Sequence, residues 1–227
     1  MRVHNNDAKF VYDVLHGTQQ PKQPNGQAVT LFWSGGVDST YMLMWLLCHG
    51  YTVHTIYCDL VNNRMKTKRE TWARGKLEEK IRQDYPLLAQ EWVHTITPIC
   101  KVEVPDGSFR AVLAQMPIWL LATMFRGRYL PSNYVIAYVN GDDAVHWLPA
   151  MEKVIEGYNM LLKEEEDPVV LHFPLATVKK TWFYEALKPF YGLMTWCEMP
   201  VLRANCDCPA CVRHRHELQD YEIDIVK

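Results

Sequence analysis

Residues 29–40 read Val-Thr-Leu-Phe-Trp-Ser-Gly-Gly-Val-Asp-Ser-Thr. The β-branched and aromatic run from Val29 to Trp33 stops at Ser34-Gly35-Gly36, which predicts a short buried strand ending in a tight turn. From Asp38 to Gly50 the chain is almost continuously apolar (STYMLMWLLC before His49), which predicts a buried helix with Gly50 as its C-terminal stop. Residues 51–60 (YTVHTIYCDL) predict the next strand. Strand, helix and strand joined by such short links make a unit of a parallel sheet.

Working outward, the same alternation continues. Residues 66–90 predict a charged helix and 92–99 a strand. Residues 111–126 predict a buried helix started or kinked by Pro117. Residues 133–139 predict a strand ending in the polar turn Asn140-Gly141-Asp142-Asp143. A helix over 151–163, a strand over 169–173 and a helix over 179–190 ended by Gly192 complete the pattern. The expected fold is α/β, a doubly wound parallel sheet, whose ligands sit past the carboxyl ends of the strands. The Ser34 turn, Asp59 and the Asn140–Asp143 turn all fall at such ends. Three parts are expected: an N-terminal extension (1–28) joined by the polar tract 19–27 as a surface loop or a tether, the main α/β domain (29–192), and a cysteine-rich C-terminal segment (193–227).

Composition narrows the class. The chain has 227 residues, 48% hydrophobic and 22% charged, with a net charge of -2. That is ordinary globular usage, and it offers no basic surface for direct nucleic-acid binding. No stretch approaches the roughly 20 apolar residues that span a bilayer. No apolar core of a secretion signal follows the early charges, so a soluble, cytoplasmic protein without membrane partners is expected. The charge run Lys163 to Asp167 reads as a solvated helix end or loop.

The Ser34–Thr40 turn carries the strongest chemical signal. Gly35 and Gly36 let the backbone approach a ligand closely, so that successive amides form an anion-binding nest. The helix that follows adds its free N–H groups and positive dipole end. Ser34, Ser39 and Thr40 add hydroxyls, and Asp38 suits a helix N-terminus or a Mg²⁺ shared with phosphates. No Lys follows the glycines, so this is not the G-x-x-x-x-G-K-[ST] loop.

Of seven cysteines, Cys48, Cys58 and Cys100 are scattered among apolar residues and read as small buried fillers. Cys197, Cys206, Cys208 and Cys211 cluster, and in a reducing compartment that suggests one structural tetrahedral Zn²⁺ before disulfides. An iron–sulfur or redox site and unrelated thiols are the competing readings. His214 or His216 could replace one cysteine, although Arg213 to His216 reads first as a solvated basic helix start.

Ser34-Gly35-Gly36-Val37-Asp38-Ser39-Thr40 resembles the PP-loop of the ATP pyrophosphatases, the adenine nucleotide α-hydrolase-like group. In that group the loop holds the pyrophosphate end of ATP while a substrate oxygen attacks the α-phosphorus. From about Val29 to Arg213 the chain also resembles the QueC family of 7-cyano-7-deazaguanine synthases. The resemblance rests on the loop, Asp59, Asp143, Pro174-Leu175 with Lys180, and the four clustered cysteines with one residue fewer between the second and third. It implies ATP and Mg²⁺ at Ser34–Thr40, Asp59 and Asp143, catalytic roles for Asp38, Ser39 and Lys180, and Zn²⁺ on the cysteines. It further implies that 7-carboxy-7-deazaguanine is adenylated and converted with ammonia to amide or nitrile, by a possible homodimer. The chain departs from the family at Leu60-Val61-Asn62-Asn63, at Met116-Pro117-Ile118-Trp119 and at His146-Trp147-Leu148-Pro149-Ala150. These departures leave room for two alternatives. One is another adenylating enzyme of the PP-loop group; a tRNA-thiolating one should show a cysteine pair near the loop and a basic face. The other is a nucleotide-binding protein without turnover.

Overall fold

A computed structural model describes residues 1–4, 7–60, 64–102, 119–124, 129–196 and 207–219. Ahead of the glycine turn the chain forms a helix, α1 (Asp7–Leu15), and then the central strand β1 (Ala28–Phe32). Next come α2 (Val37–Cys48), β2 (Thr52–Ile56), β3 (Cys58–Leu60), α3 (Arg64–Asp84), α4 (Pro86–Ala89), β4 (Trp92–His94) and β5 (Cys100–Val102). Residues 119–124 are helical (α5). β6 (Asn133–Val135), a 3-10 turn (Asp143–Trp147), α6 (Leu148–Asn159), β7 (Val170–His172), α7 (Thr181–Leu187), a second 3-10 turn (Lys188–Leu193) and α8 (Pro209–Gln219) follow.

The main sheet has the order β4-β2-β1-β6-β7 and is parallel throughout. The chain winds from β1 outward through β2 to β4, then returns to the other side of β1 for β6 and β7. Strand order therefore reverses between β1 and β6, and a crevice opens beyond their carboxyl ends. Strand alternation feeds two hydrophobic clusters. Val29, Leu31, Val53 and Val135 face α2, α7 and α1 on one side. Phe32, Ile56, Tyr134 and Ile136 face α6 and Ala122 of α5 on the other. Every residue of α2 except Asp38 is buried, which explains why its sequence is apolar all round.

Four expectations change in detail. Residues 51–60 do not form one strand. The chain breaks at Tyr57, where Ile99 N donates to Tyr57 O (2.9 Å), and Cys58–Leu60 leaves the main sheet to pair in parallel with Cys100–Val102. The strand expected over 92–99 accordingly stops at His94 and resumes as β5. The helix expected from 151 starts at Leu148, because Pro149 suits a first helical turn. The tract 19–27 is the surface loop of the two readings, pinned to the end of α2: Lys22 N donates to Cys48 O (2.9 Å), Asn25 N to Gly50 O (2.8 Å) and Asn25 Nδ2 to His49 O (3.2 Å). Residues before it are part of the main core, since Val3, Val11, Val14 and Leu15 are buried with α2 and α7. Of the helix expected over 111–126, residues 111–118 and 125–126 lie outside the described residues.

His94 is enclosed by Trp33 and Trp92, with Nδ1 2.8 Å from Thr55 Oγ1 and its side chain 4% exposed. Burial lowers its pKa from 6.5 to about 4, against the opposing pull of Glu78. The unfolded chain then binds a proton between those pH values that the folded chain refuses. Stability should fall as pH drops through that window, by at most about 1.4 kcal/mol per pH unit from this residue. The urea midpoint at pH 7 and pH 5 reads it, and an unchanged midpoint overturns it.

Candidate functional site

The chain leaves β1 at Trp33, whose indole is buried and whose Nε1 donates to Thr40 Oγ1 at 3.2 Å. That bond turns the Thr40 hydroxyl into the core, so Thr40 anchors the turn rather than facing its mouth. Gly35 takes φ +79°, which an L side chain rarely adopts; a Cβ there would also come within 3.2 Å of Ala73 and Arg74. Ser34 N donates to Ser39 Oγ (3.3 Å), Gly36 N donates to Ser34 Oγ (3.3 Å), and the two hydroxyls lie 3.2 Å apart. Gly36 is extended and sits at the N-cap of α2, and Val37 begins the helix in the core. The expected glycine turn running into a helix N-terminus is therefore formed, with serine hydroxyls threaded through it.

Two further segments close on this turn. Thr195 N donates to Gly35 O at 3.1 Å, and Thr195 O lies 3.2 Å from where a Gly36 Cβ would stand. Lys180, at the N-cap of α7, places Nζ 2.9 Å from Asp38 Oδ2. Lys179 beside it is exposed. The other carboxylate oxygen, Asp38 Oδ1, is buried and has no hydrogen-bond partner among the described residues. A buried acceptor left open beside a cation-bearing helix start fits a metal ion or a ligand donor.

Asp59 lies on β3 and accepts a 2.9 Å hydrogen bond from Thr67 Oγ1. Asp143 opens the 3-10 turn, and its side chain is outside the described set. Next to it Asp142 Oδ2 accepts from Val139 N at 2.9 Å and so closes the Asn140–Asp143 turn.

Sequence reasoning missed Arg74. It sits on the α3 face against Gly35 and is 2% exposed, with its guanidinium 3.8 Å over the Tyr57 ring and Nε without a hydrogen-bond partner among the described residues. Tyr57 OH donates to Glu70 Oε2 at 2.5 Å. Burial pushes the tyrosine and the glutamate up and the arginine down from their ordinary values, with the charges partly compensating one another. Nothing in the charged pattern of 66–90 marks Arg74 as buried; only the closeness of α3 to the glycine turn does.

Cys208 and Cys211 are buried at the start of α8 against Trp196 and Ala210. Cys211 N donates to Cys208 Sγ at 3.4 Å, the N–H to sulfur contact that favours a thiolate. Cys197 and Cys206 lie outside the described residues, and among the described residues no three His, Cys, Asp or Glu side chains converge on a metal position. The basic stretch after the cysteines is not simply solvated. His214 is 2% exposed, bonds Tyr184 OH through Nδ1 (2.8 Å) and packs on Trp196, and burial with Lys180 nearby lowers its pKa to about 3. His216 is exposed.

No family model matches the chain, and no curated protein matches it. Among solved structures the chain is similar to the U34-tRNA thiolase NcsA from Methanococcus maripaludis with its 4Fe-4S cluster. The sequence identity is 14%, the TM-score 0.44, and the match covers 95% of this chain and 70% of that one.

Proposed function

We propose that the chain is an adenylating enzyme of the PP-loop type, which binds ATP at Ser34–Thr40 and transfers its AMP moiety to a substrate carboxylate. The observation that carries this reading is the Asp38–Lys180 pair at the mouth of the glycine turn, 2.9 Å long and with Asp38 Oδ1 open. A carboxylate oxygen attacks the α-phosphorus, the bond to the bridging oxygen breaks, and pyrophosphate leaves. The turn's amides and the N-terminus of α2 hold the departing charge, and Lys180 stabilises it further. Mg²⁺ carried with ATP supplies charge neutralisation, and Asp38 Oδ1 is the atom of this chain fitted to it.

The finer reading follows the resemblance. The acid is a 7-deazaguanine carboxylate such as 7-carboxy-7-deazaguanine. Ammonia displaces AMP to give the amide, which a second activation dehydrates to the nitrile. The enzyme works in the cytoplasm, as a homodimer, without binding nucleic acid directly; among the described residues no helix is long and apolar enough to cross a membrane. The test is AMP release from labelled ATP with and without that acid and ammonia. AMP that appears only with the acid supports both levels. AMP with other carboxylates alone overturns the deazaguanine reading, and no AMP with any acid overturns adenylation.

Cys197, Cys206, Cys208 and Cys211 hold one structural Zn²⁺ in the same reading, supported by the Cys208–Cys211 turn. Metal analysis should give about one zinc per chain, the stoichiometry of a closed four-thiolate site. Cys211→Ser should lose the metal together with thermal stability. A folded, zinc-free native chain rules the site out.

A further inference from the structure

Cys58 and Cys100 are separated by the whole of α3, α4 and β4, yet β3 and β5 align them as directly opposed residues of a parallel ladder. Directly opposed side chains project from the same face, and neighbouring strands lie about 4.8 Å apart. That spacing falls within the Cα separations of about 4.4–6.8 Å that a disulfide bridges. The two thiols are near enough to perturb each other's ionisation. Cys58 is 9% exposed and Cys100 half-buried. Cys48, by contrast, is wholly enclosed among the apolar side chains of α2.

We propose that Cys58 and Cys100 are a redox site, closing to a reversible disulfide that locks the β3–β5 ladder and the polar cluster beside it. The oxidant is a small-molecule disulfide such as oxidised glutathione. The more accessible Cys100 attacks as its thiolate, forming a mixed disulfide and releasing one glutathione thiol. Cys58 then gives up its proton and displaces the second glutathione. Two protein thiols become one disulfide while one glutathione disulfide becomes two thiols. The neighbouring Cys100 sulfur and burial push the Cys58 thiol up, so the second step is the slower one and relies on being intramolecular.

The ladder is only three residues long on each strand, so a covalent rung changes its rigidity far more than it would in the main sheet. It also adjoins the glycine turn through a short chain of contacts. Tyr57 precedes Cys58 and carries the Arg74 guanidinium on its ring, Arg74 packs on Gly35, and Asp59 follows Cys58 and holds Thr67 of α3.

The full chain, reduced and desalted, would be titrated with oxidised glutathione and mapped by non-reducing proteolysis and mass spectrometry. The expected product is a linked Cys58–Cys100 peptide pair, 2 Da lighter, formed before any other cysteine pair, reversed by dithiothreitol and absent in Cys100→Ser. Amide hydrogen exchange over 58–60, 100–102 and 34–36 should slow on linkage. Cys58 and Cys100 staying reduced while other cysteines link overturns the site. Linkage without slower exchange overturns the lock. Neither readout needs ATP turnover, so failure of the adenylation reading would be seen separately.

Discussion

Lys180→Ala is expected to lower AMP formation about 10²–10³-fold, the usual cost of removing one preorganised charge from a developing anion. The Nζ reaches Asp38 from the start of α7, 142 residues further along the chain, and a methyl group leaves that place empty. The folded state should survive. The pair is largely enclosed, with side chains 14% and 23% exposed, so leaving Asp38 without its cation should lower the melting temperature without unfolding the chain. Asp38→Asn keeps the shape, removes the charge and should be comparably inactive, whereas the exposed neighbour Lys179→Ala should leave turnover unchanged. Steady-state AMP release with a thermal melt for each variant separates the cases. Full activity in Lys180→Ala would remove Lys180 from the site.

Gly50→Ala is expected to be the most damaging small substitution in the scaffold. Gly50 has φ +78° and ends α2 as the sequence suggests, with Gly50 N on Leu47 O and Tyr51 N on Leu46 O. A Cβ there would stand 2.2 Å from the carbonyl oxygen of Gln23, a backbone atom fixed by the bonds that tie 22–25 to the end of α2. Left-handed backbone costs a non-glycine residue about 1–2 kcal/mol, and forced overlap typically adds about 1–3. The melting temperature should fall by about 5–15 °C for a chain of this size. Gly17→Ala is the control: it has φ +72° but nothing within 4 Å, so it carries the backbone term alone. Equal losses at the two positions would show that the contact with Gln23 contributes nothing.

The parts legible in the sequence are those whose cause is local. Val29 to Gly50 gives strand, turn and helix because apolar runs and glycines act over a few residues, and Gly35 and Gly50 take the positive φ their places require. Lys180 was reachable only through the resemblance, since its meaning depends on Asp38, far away in the chain. Arg74 and Thr195 carry no pattern of their own; each is defined by packing on Gly35 or Gly36. Cys58 and Cys100 read as separate apolar fillers because their register is set by the break at Tyr57, and no single window contains both strands. His214 read as solvated because its basic neighbours masked the buried face that α8 lays on Tyr184.

The contact between α1 and α7, with Thr195 closing on Gly35, bears on the order in which the molecule is made. A chain emerging from the ribosome can assemble β1, α2 and β2 early, since their contacts are near neighbours in sequence. It cannot cover α2 on its outer side, or close the glycine turn, until residues beyond 180 are free. Long-range closure of this kind makes folding slow and leaves the apolar α2 partly exposed in the interval. The nascent chain therefore passes through a stage in which its most hydrophobic helix is covered only in part, by α1 and the early strands, and that stage is where assistance from a chaperone would matter most.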